Sequence, residues 1–571
     1  MKRIIEIVLS LLICCHVANG QDVEQVMKAD PVSFSGGVTW SNIFVWPKDS
    51  AVQTPTYSYY ISGSLSTTVM GLVSVPVSFA YTNNKMSSTI TYPFNRFTLT
   101  PSYKWVKLHI GYSQMTFSPY TMSGHDFLGG GIELTPTEMP WKFSAYLGRY
   151  NKAAQRDSIN TEPIYKRVGG GVLAGFKTEK LEITINATMA KDDESSLSFA
   201  EGIDTTYIAP QSNLAGGISL MAKPWEQTTI SGEYAMSIVN SNCKADSTGH
   251  VASFFDEDIN VTRFNAGKVS ISQSFGIGSA GLTYERVSPN YKSFSSYYNT
   301  NDFENITADF SIGISQKVNL NANVGIQRDN LSKQEVNTNS QLIYSASVGV
   351  NATEKLSLNG SVSNMQSYVH IKDILEKVTQ TNQYQNLDTL SFTELSFSAS
   401  GSANYHWGDG EEANWGQAVC ATYSYQQASH EQENCQKYVS NRLHNYNASY
   451  QVHHKPTKVN CSLSANYNTN HTPESKTDVL TLGASTGASI AEKVRTSLSV
   501  NYSKVDASAN SRIINTRLSA DYSFLKYNTI NCSLTVLNSN ADGNKTQFTA
   551  NVTYSLSLGY TVKRKANRNK E

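Results

Sequence analysis

The residues of this chain that could do chemistry fall into a few sets. His430, Cys435, His444, His453 and His454 lie close together in sequence and are the ligand types that hold zinc. Gly276-Ile277-Gly278-Ser279-Ala280-Gly281 spells GxGxxG, which cradles a pyrophosphate only where a strand precedes it and a helix follows. Here Leu282 and Tyr284 carry an alternating pattern onward, so the match is rejected. Lys191-Asp192-Asp193-Glu194 and Asp256-Glu257-Asp258 offer carboxylates to calcium, but without EF-hand spacing they read as solvated loops. The last set is dispersed: Lys107, His109, Lys142, Glu182, Glu233, Lys268, Glu285, Asp309, Arg495, Arg517 and Asp521. Each is embedded in an alternating run among Ser, Thr, Asn and Gly, such as Ser357 and Asn359. Ions in the polar phase of strands can line an aqueous passage, where rings of one sign would select ions. Both signs are scattered here, and no ring is evident.

The elements that position these residues are strands. From Gln341 to Met365, two alternating runs meet at a tight turn, with Leu342, Tyr344, Ala346, Val348 and Val350 in one phase and Ser345, Ser347 and Gly349 in the other. A period of two puts successive side chains on opposite faces of a strand. Each run is about ten residues, the length of a tilted membrane-spanning strand. The unit recurs at Thr178, Ser315, Thr457, Ala491 and Lys526, each time as a short polar turn followed by alternation.

Read throughout, the pattern gives about 26 strands (24 to 26) whose connections alternate short and long. Short turns fall at Met70-Gly71, Ala352 to Glu354 and Leu525 to Asn528; longer polar connections include Lys191 to Pro210, Asn240 to Ile259 and Pro289 to Asp302. Trp105, Trp141, Trp225, Trp407 and Trp415 lie in or beside short turns, as expected of an aromatic girdle at one membrane interface. On this layout His430 and Cys435 sit at one rim and His453 and His454 at the other. An apolar band roughly 25 Å tall then separates them, and ligands about 2 Å from one ion cannot span it. No metal or other cofactor is expected. Pro76 and Pro101 interrupt runs and predict bulges or edges. Gly129-Gly130-Gly131 and Gly169-Gly170-Gly171 inside strands predict bending or close approach. Between Phe94 and Leu134, an ordinary bent strand pair is the favoured reading and a loop folding inward the alternative.

Composition narrows the class. Lys+Arg and Asp+Glu are both 46, so no net charge points to nucleic acid; charged residues are 16%, with 32 Tyr and 21 Phe, which suits an apolar exterior around a polar interior. The chain opens MKRIIEIVLSLLICCHVANG, with basic residues, an apolar run too short for a helical span and small residues at Ala18-Asn19-Gly20. Residues 1–20 read as a signal peptide cleaved near Gly20/Gln21, because Ile13 and Cys14 are poor predecessors for lipidation of Cys14 or Cys15. Residues 21–30 read as a short periplasmic segment, 31–562 as the barrel and 563–571 as a basic tail. The five remaining cysteines, Cys243, Cys420, Cys435, Cys461 and Cys532, define no disulfide framework.

The last strand alternates Phe548, Ala550, Val552, Tyr554, Leu556, Leu558, Tyr560 and Val562 with polar residues. It resembles the closing strand of Gram-negative outer-membrane β-barrel proteins, though Lys563-Arg564-Lys565 follow where such strands commonly end on an aromatic residue. The resemblance, carried also by the loop rhythm and the secretion signal, implies an all-β fold: one large antiparallel up-and-down transmembrane β-barrel in the outer membrane, with short periplasmic turns and long extracellular loops. Its implied partners are outer-membrane lipids, the assembly machinery and another envelope protein. Residues 21–30 are too few for a separate plug domain, so the leading expectation is a channel or conduit with a wide, neutral, polar lumen for solutes or a partner polypeptide. The alternatives are a non-conducting scaffold or adhesin and a secreted protein of several β-sandwiches. The chain is not read as an enzyme; a hydrolase embedded in a barrel would draw its groups from neighbouring strands, and so many serines single out none.

Overall fold

A computed structural model describes residues 31–46, 56–83, 95–155, 163–197, 208–243, 260–296, 301–329, 331, 340–364, 367–368, 394–395, 397–408, 413–430, 438–491, 493–507, 510–525, 527–540 and 543–562. The signal peptide, the segment 21–30, the basic tail, Cys435 and the Asp256 cluster lie outside the described residues.

Alternation becomes a closed antiparallel sheet of 26 strands. Each strand pairs with its neighbours in sequence, and the first, Val32–Trp46, pairs with the last, Lys545–Val562, in unbroken register from Val32↔Val562 to Trp46↔Phe548. Closure removes the sheet edges that an open sheet of this size would expose. A separate two-stranded pairing joins Ser367–Tyr368 to Glu394–Leu395.

Two of the short turns share the sequence Thr-Glu-Lys-Leu, at 178–181 and 353–356. Thr178 Oγ1 accepts the amide of Leu181 at 3.0 Å, and Thr353 Oγ1 accepts that of Leu356 at 3.0 Å. A threonine at the start of the turn thus satisfies the amide that opens the next strand. Met70 and Gly71, at φ 52° and 66°, turn the chain tightly between Tyr57–Val69 and Val73–Thr82. Backbone with φ > 0 at both central positions matches the twist of a hairpin.

The proline expectation divides. Pro76 stays within Val73–Thr82, opposite Ser66, whereas Pro101 splits the following strand into Arg96–Leu99 and Ser102–Tyr103. The glycine triplets serve close approach. A Cβ on Gly169 would lie 2.4 Å from the Tyr150 ring, and one on Gly171 2.8 Å from the Tyr146 ring. The missing side chains let two tyrosines lie flat against the neighbouring strand.

The two faces of the sheet differ in chemistry. Leu147, Ile185, Leu282, Ile306, Ile326, Leu463 and Leu518 are more than half exposed on one face, on strands spread around the barrel. The opposite face carries cross-strand hydroxyl pairs, including Ser231 with Ser270 at 2.6 Å, Ser361 with Ser400 at 2.7 Å and Ser462 with Ser485 at 2.7 Å. Large apolar side chains left uncovered around a closed sheet are stable only against hydrocarbon.

Candidate functional site

The polar face lines the lumen, and two loop segments fold against it. Residues 117–122 join the strands Val106–Thr116 and Ser123–Leu134, and Phe117 N donates to the Met122 carbonyl at 2.9 Å, closing them into a compact tip. Residues 288–296 follow the strand Gly278–Val287. The segments are bonded together: the Tyr291 hydroxyl donates to the Tyr120 carbonyl at 2.8 Å, Ser293 Oγ donates to the Thr121 carbonyl at 2.5 Å, and Ser123 N donates to the Ser295 carbonyl at 3.3 Å.

Both are also bonded to the wall. Ser118 Oγ donates to the Glu233 carboxylate, the Tyr120 hydroxyl to Glu285 at 2.6 Å, and Thr121 Oγ1 to Asn186 Oδ1 at 2.6 Å. Phe294 N donates to Asn213 Oδ1 at 3.0 Å, and Ser237 Oγ donates to the Lys292 carbonyl at 2.6 Å. Partners drawn from the strands Leu181–Asp192, Ser212–Trp225, Thr228–Asn240 and Gly278–Val287 can be reached together only from the concave side of a closed sheet. Burial pushes the Tyr120 phenol far above its ordinary pKa, with the Glu285 carboxylate adding to the shift, so Tyr120 remains a donor.

Apolar contacts complete the docking. Met122 and Phe294 pack with Met115, Phe127, Tyr146 and Tyr150; Tyr120 and Tyr291 pack with Ala235, Ala266, Val287 and Phe303. Met122 and Phe127 are fully buried. The favoured reading of an ordinary bent pair between Phe94 and Leu134 is therefore corrected. The tip at 117–122 folds inward, because it buries apolar side chains there and its hydroxyls find carboxylate and amide acceptors on the wall. The docked tip is a strand connection and not a separate plug domain, and the segment 21–30, on which the expectation of no such domain rests, lies outside the described residues.

The ions singled out from sequence separate into two groups. On the covered side they meet partners. Lys107 pairs with Glu133 at 3.1 Å, His109 Nε2 is 2.5 Å from the same carboxylate, Lys142 pairs with Glu182, which Lys177 also approaches at 3.3 Å, and Lys268 pairs with Glu285 at 3.5 Å. Glu233 holds the loop, and the Asp309 carboxylate lies across Gly281. On the other side, Ser357 and Asn359 stand opposite Asn404 and Ser402, Asp521 accepts from Asn531 Nδ2 at 2.7 Å, and Arg495 and Arg517 are exposed. Trp105, Trp141, Trp225 and Trp415 are 43%, 63%, 69% and 51% exposed at the ends of strands next to short turns; Trp407 is half-buried and stacks on Tyr450 at 6.3 Å.

Residues not singled out from sequence include Glu133, Asn186, Asn213, Thr121, Tyr291 and Ser293, whereas Ser118 and Tyr120 belong to Phe117-Ser118-Pro119-Tyr120, the stretch at the tip of the inward-folding alternative. Glu133 shares the phase of Gly129 and Gly131 and faces Lys107 across the strand pair, so register alone signals it. The polar composition of 288–296 carries no such signal. Among the described residues no group of three or more His, Cys, Asp and Glu could hold a metal. The described cysteines, Cys243, Cys420, Cys461 and Cys532, are free thiols.

A closed antiparallel barrel with an apolar exterior and a polar interior has the architecture of a transmembrane β-barrel. No family model and no curated protein matches the chain. Among solved structures, it is similar to the translocation pore of the P pilus usher PapC, at 10% identity over 93% of this chain and 100% of that one, with a TM-score of 0.36. It is also similar to OccAB4 of Acinetobacter baumannii, at 8% identity over 93% and 99%, with a TM-score of 0.32. A mutant of the ferric enterobactin receptor PfeA of Pseudomonas aeruginosa matches at 9% identity over 92% and 80%, with a TM-score of 0.36.

Proposed function

We propose that this chain is an outer-membrane conduit for small hydrophilic solutes, with the passage narrowed by the docked loop pair and running along the wall that no described loop covers, the uncovered wall. The observation that carries this is the difference between the two sides of the lumen. On one side, loops and matched ion pairs occupy the wall. On the other, from Val318–Arg328 through Lys545–Val562, the inward phase is mainly Ser, Thr, Asn and Gly, which exchange hydrogen bonds with a passing solute at little cost because water competes for the same groups. The exterior is then covered by outer-membrane lipids, the exposed tryptophans sit at the periplasmic interface, and the closing strand is what the assembly machinery reads. The lumen serves passage and not catalysis.

Swelling of liposomes containing the folded full-length chain tests this. Small uncharged polar solutes should enter, and uptake should fall as solute size rises. Liposomes that hold the folded protein yet admit none of a graded series of such solutes would refute the conduit.

A further inference from the structure

We propose that Arg495 and Arg517 form an oxyanion-binding ladder on the uncovered wall, so that this lumen favours solutes bearing carboxylate or phosphate groups. The inference rests on the conduit reading for its transport consequence but not for the binding itself. It starts from a contrast in charge matching. On the covered wall Lys107, Lys142 and Lys268 each meet a carboxylate. On the uncovered wall, the arginines and carboxylates in the inward phase of the described strands are Arg495, beside the short turn, and Arg517 and Asp521. Among the described residues neither arginine lies within 4.0 Å of a carboxylate, although Asp521 stands opposite Arg495 in register. Asp521 instead accepts from Asn531.

The residue type and the spacing both point to oxyanions. A guanidinium is always charged and presents a planar fork of donors that fits carboxylate or phosphate through two parallel bonds. Arg517 stands opposite Ser499, four positions along the strand Val494–Asp506 from Arg495. At about 3.3 Å per residue the two cations are separated by about 13 Å along the strands. Between them, Ser497 Oγ and Ser519 Oγ lie 2.6 Å apart and supply neutral hydroxyls. An anion released by one arginine thus meets hydroxyl donors and then the second arginine, with Asp521 the carboxylate at the foot of the ladder. Two separated sites of moderate strength permit passage where one deep site would trap the ion.

The test uses the full-length folded chain, the double variant R495Q/R517Q, and R495K/R517K, which keeps the charge and loses the fork. Calorimetry in detergent with inorganic phosphate and with succinate reads binding directly. The unsubstituted chain should bind at least one of the two, R495Q/R517Q about tenfold or more weakly, and R495K/R517K in between. Phosphate alone or succinate alone would identify which oxyanion the ladder takes. Planar bilayers under a KCl gradient read selectivity: the reversal potential should favour chloride and move toward zero in R495Q/R517Q, whose heat-modifiable migration must stay unchanged. Equal titrations for the unsubstituted chain and R495Q/R517Q, or no binding of either anion, would overturn the ladder. Binding without any conductance would instead refute the conduit and leave the site standing.

Discussion

Removing the hydroxyl of Tyr120 probes how the lumen is narrowed. Tyr120→Phe deletes the 2.6 Å bond to Glu285 and keeps the ring, which lies edge-on to Tyr291 at 6.3 Å between centroids. The apolar contacts with Ala235, Ala266 and Val287 therefore persist. Lys268 still neutralises Glu285, at 3.5 Å, so the substitution strands no unpaired charge. A hydrogen bond to a charged group contributes about 1.5–3 kcal/mol, equivalent to a rise of about 10- to 150-fold in the fraction of time the tip is undocked. In single-channel records this should appear as a matching rise in the frequency of excursions to a higher conductance level. The double variant Y120F/E285Q should add little beyond Y120F, because both changes remove the same bond. An excursion frequency equal to that of the unsubstituted chain, or an E285Q effect fully additive with Y120F, would refute the idea that this bond holds the tip against the wall.

Other consequences can be checked through stability. Leu282→Arg places a cation on the lipid-facing side and should destabilise the folded barrel by about 2–4 kcal/mol, whereas Thr283→Arg, one residue on and facing the lumen, should cost much less. Urea titration followed by heat-modifiable migration measures both, and equal losses would contradict the assignment of faces. Gly169→Ala brings a Cβ within 2.4 Å of the Tyr150 ring and 2.6 Å of the Met189 carbonyl, so a loss of about 1–3 kcal/mol is expected in the same titration. Gly216→Ala, whose nearest contact would be 3.5 Å, should be close to neutral. Thr353→Ala removes the acceptor of the Leu356 amide at the tight turn, which water can replace, and should cost under about 1 kcal/mol.

The fold was legible because each strand repeats the same local rule. Leu356 and Leu358 alternate with Ser357 and Asn359, and Thr353 marks the turn, so local sequence determines the strand, its face and its connection. Lys107, Glu182 and Lys268 stand out in the same way, as charges that interrupt a polar phase. Register decides who pairs with whom, and it is register that sets Glu133 opposite Lys107. The inward loops were less legible for a physical reason. Ser118, Tyr120, Tyr291 and Ser293 are residues that a solvated loop would equally carry. What fixes them inside is acceptors and apolar surface on strands far away in sequence, such as Glu285 for Tyr120 and Asn213 for Phe294. The glycines at 129–131 and 169–171 announced a close approach without saying which ring would use it.

The central claim is that the polar face of this barrel bounds a continuous aqueous path. Conductance of the purified, folded, full-length chain in planar bilayers measures that path most directly. Stable stepwise currents that are ohmic at low voltage are predicted, with larger steps once Ser118→Ala and Tyr120→Phe together release the tip. Folded protein that inserts and yet passes no current, with the tip docked and with it released, would contradict the claim.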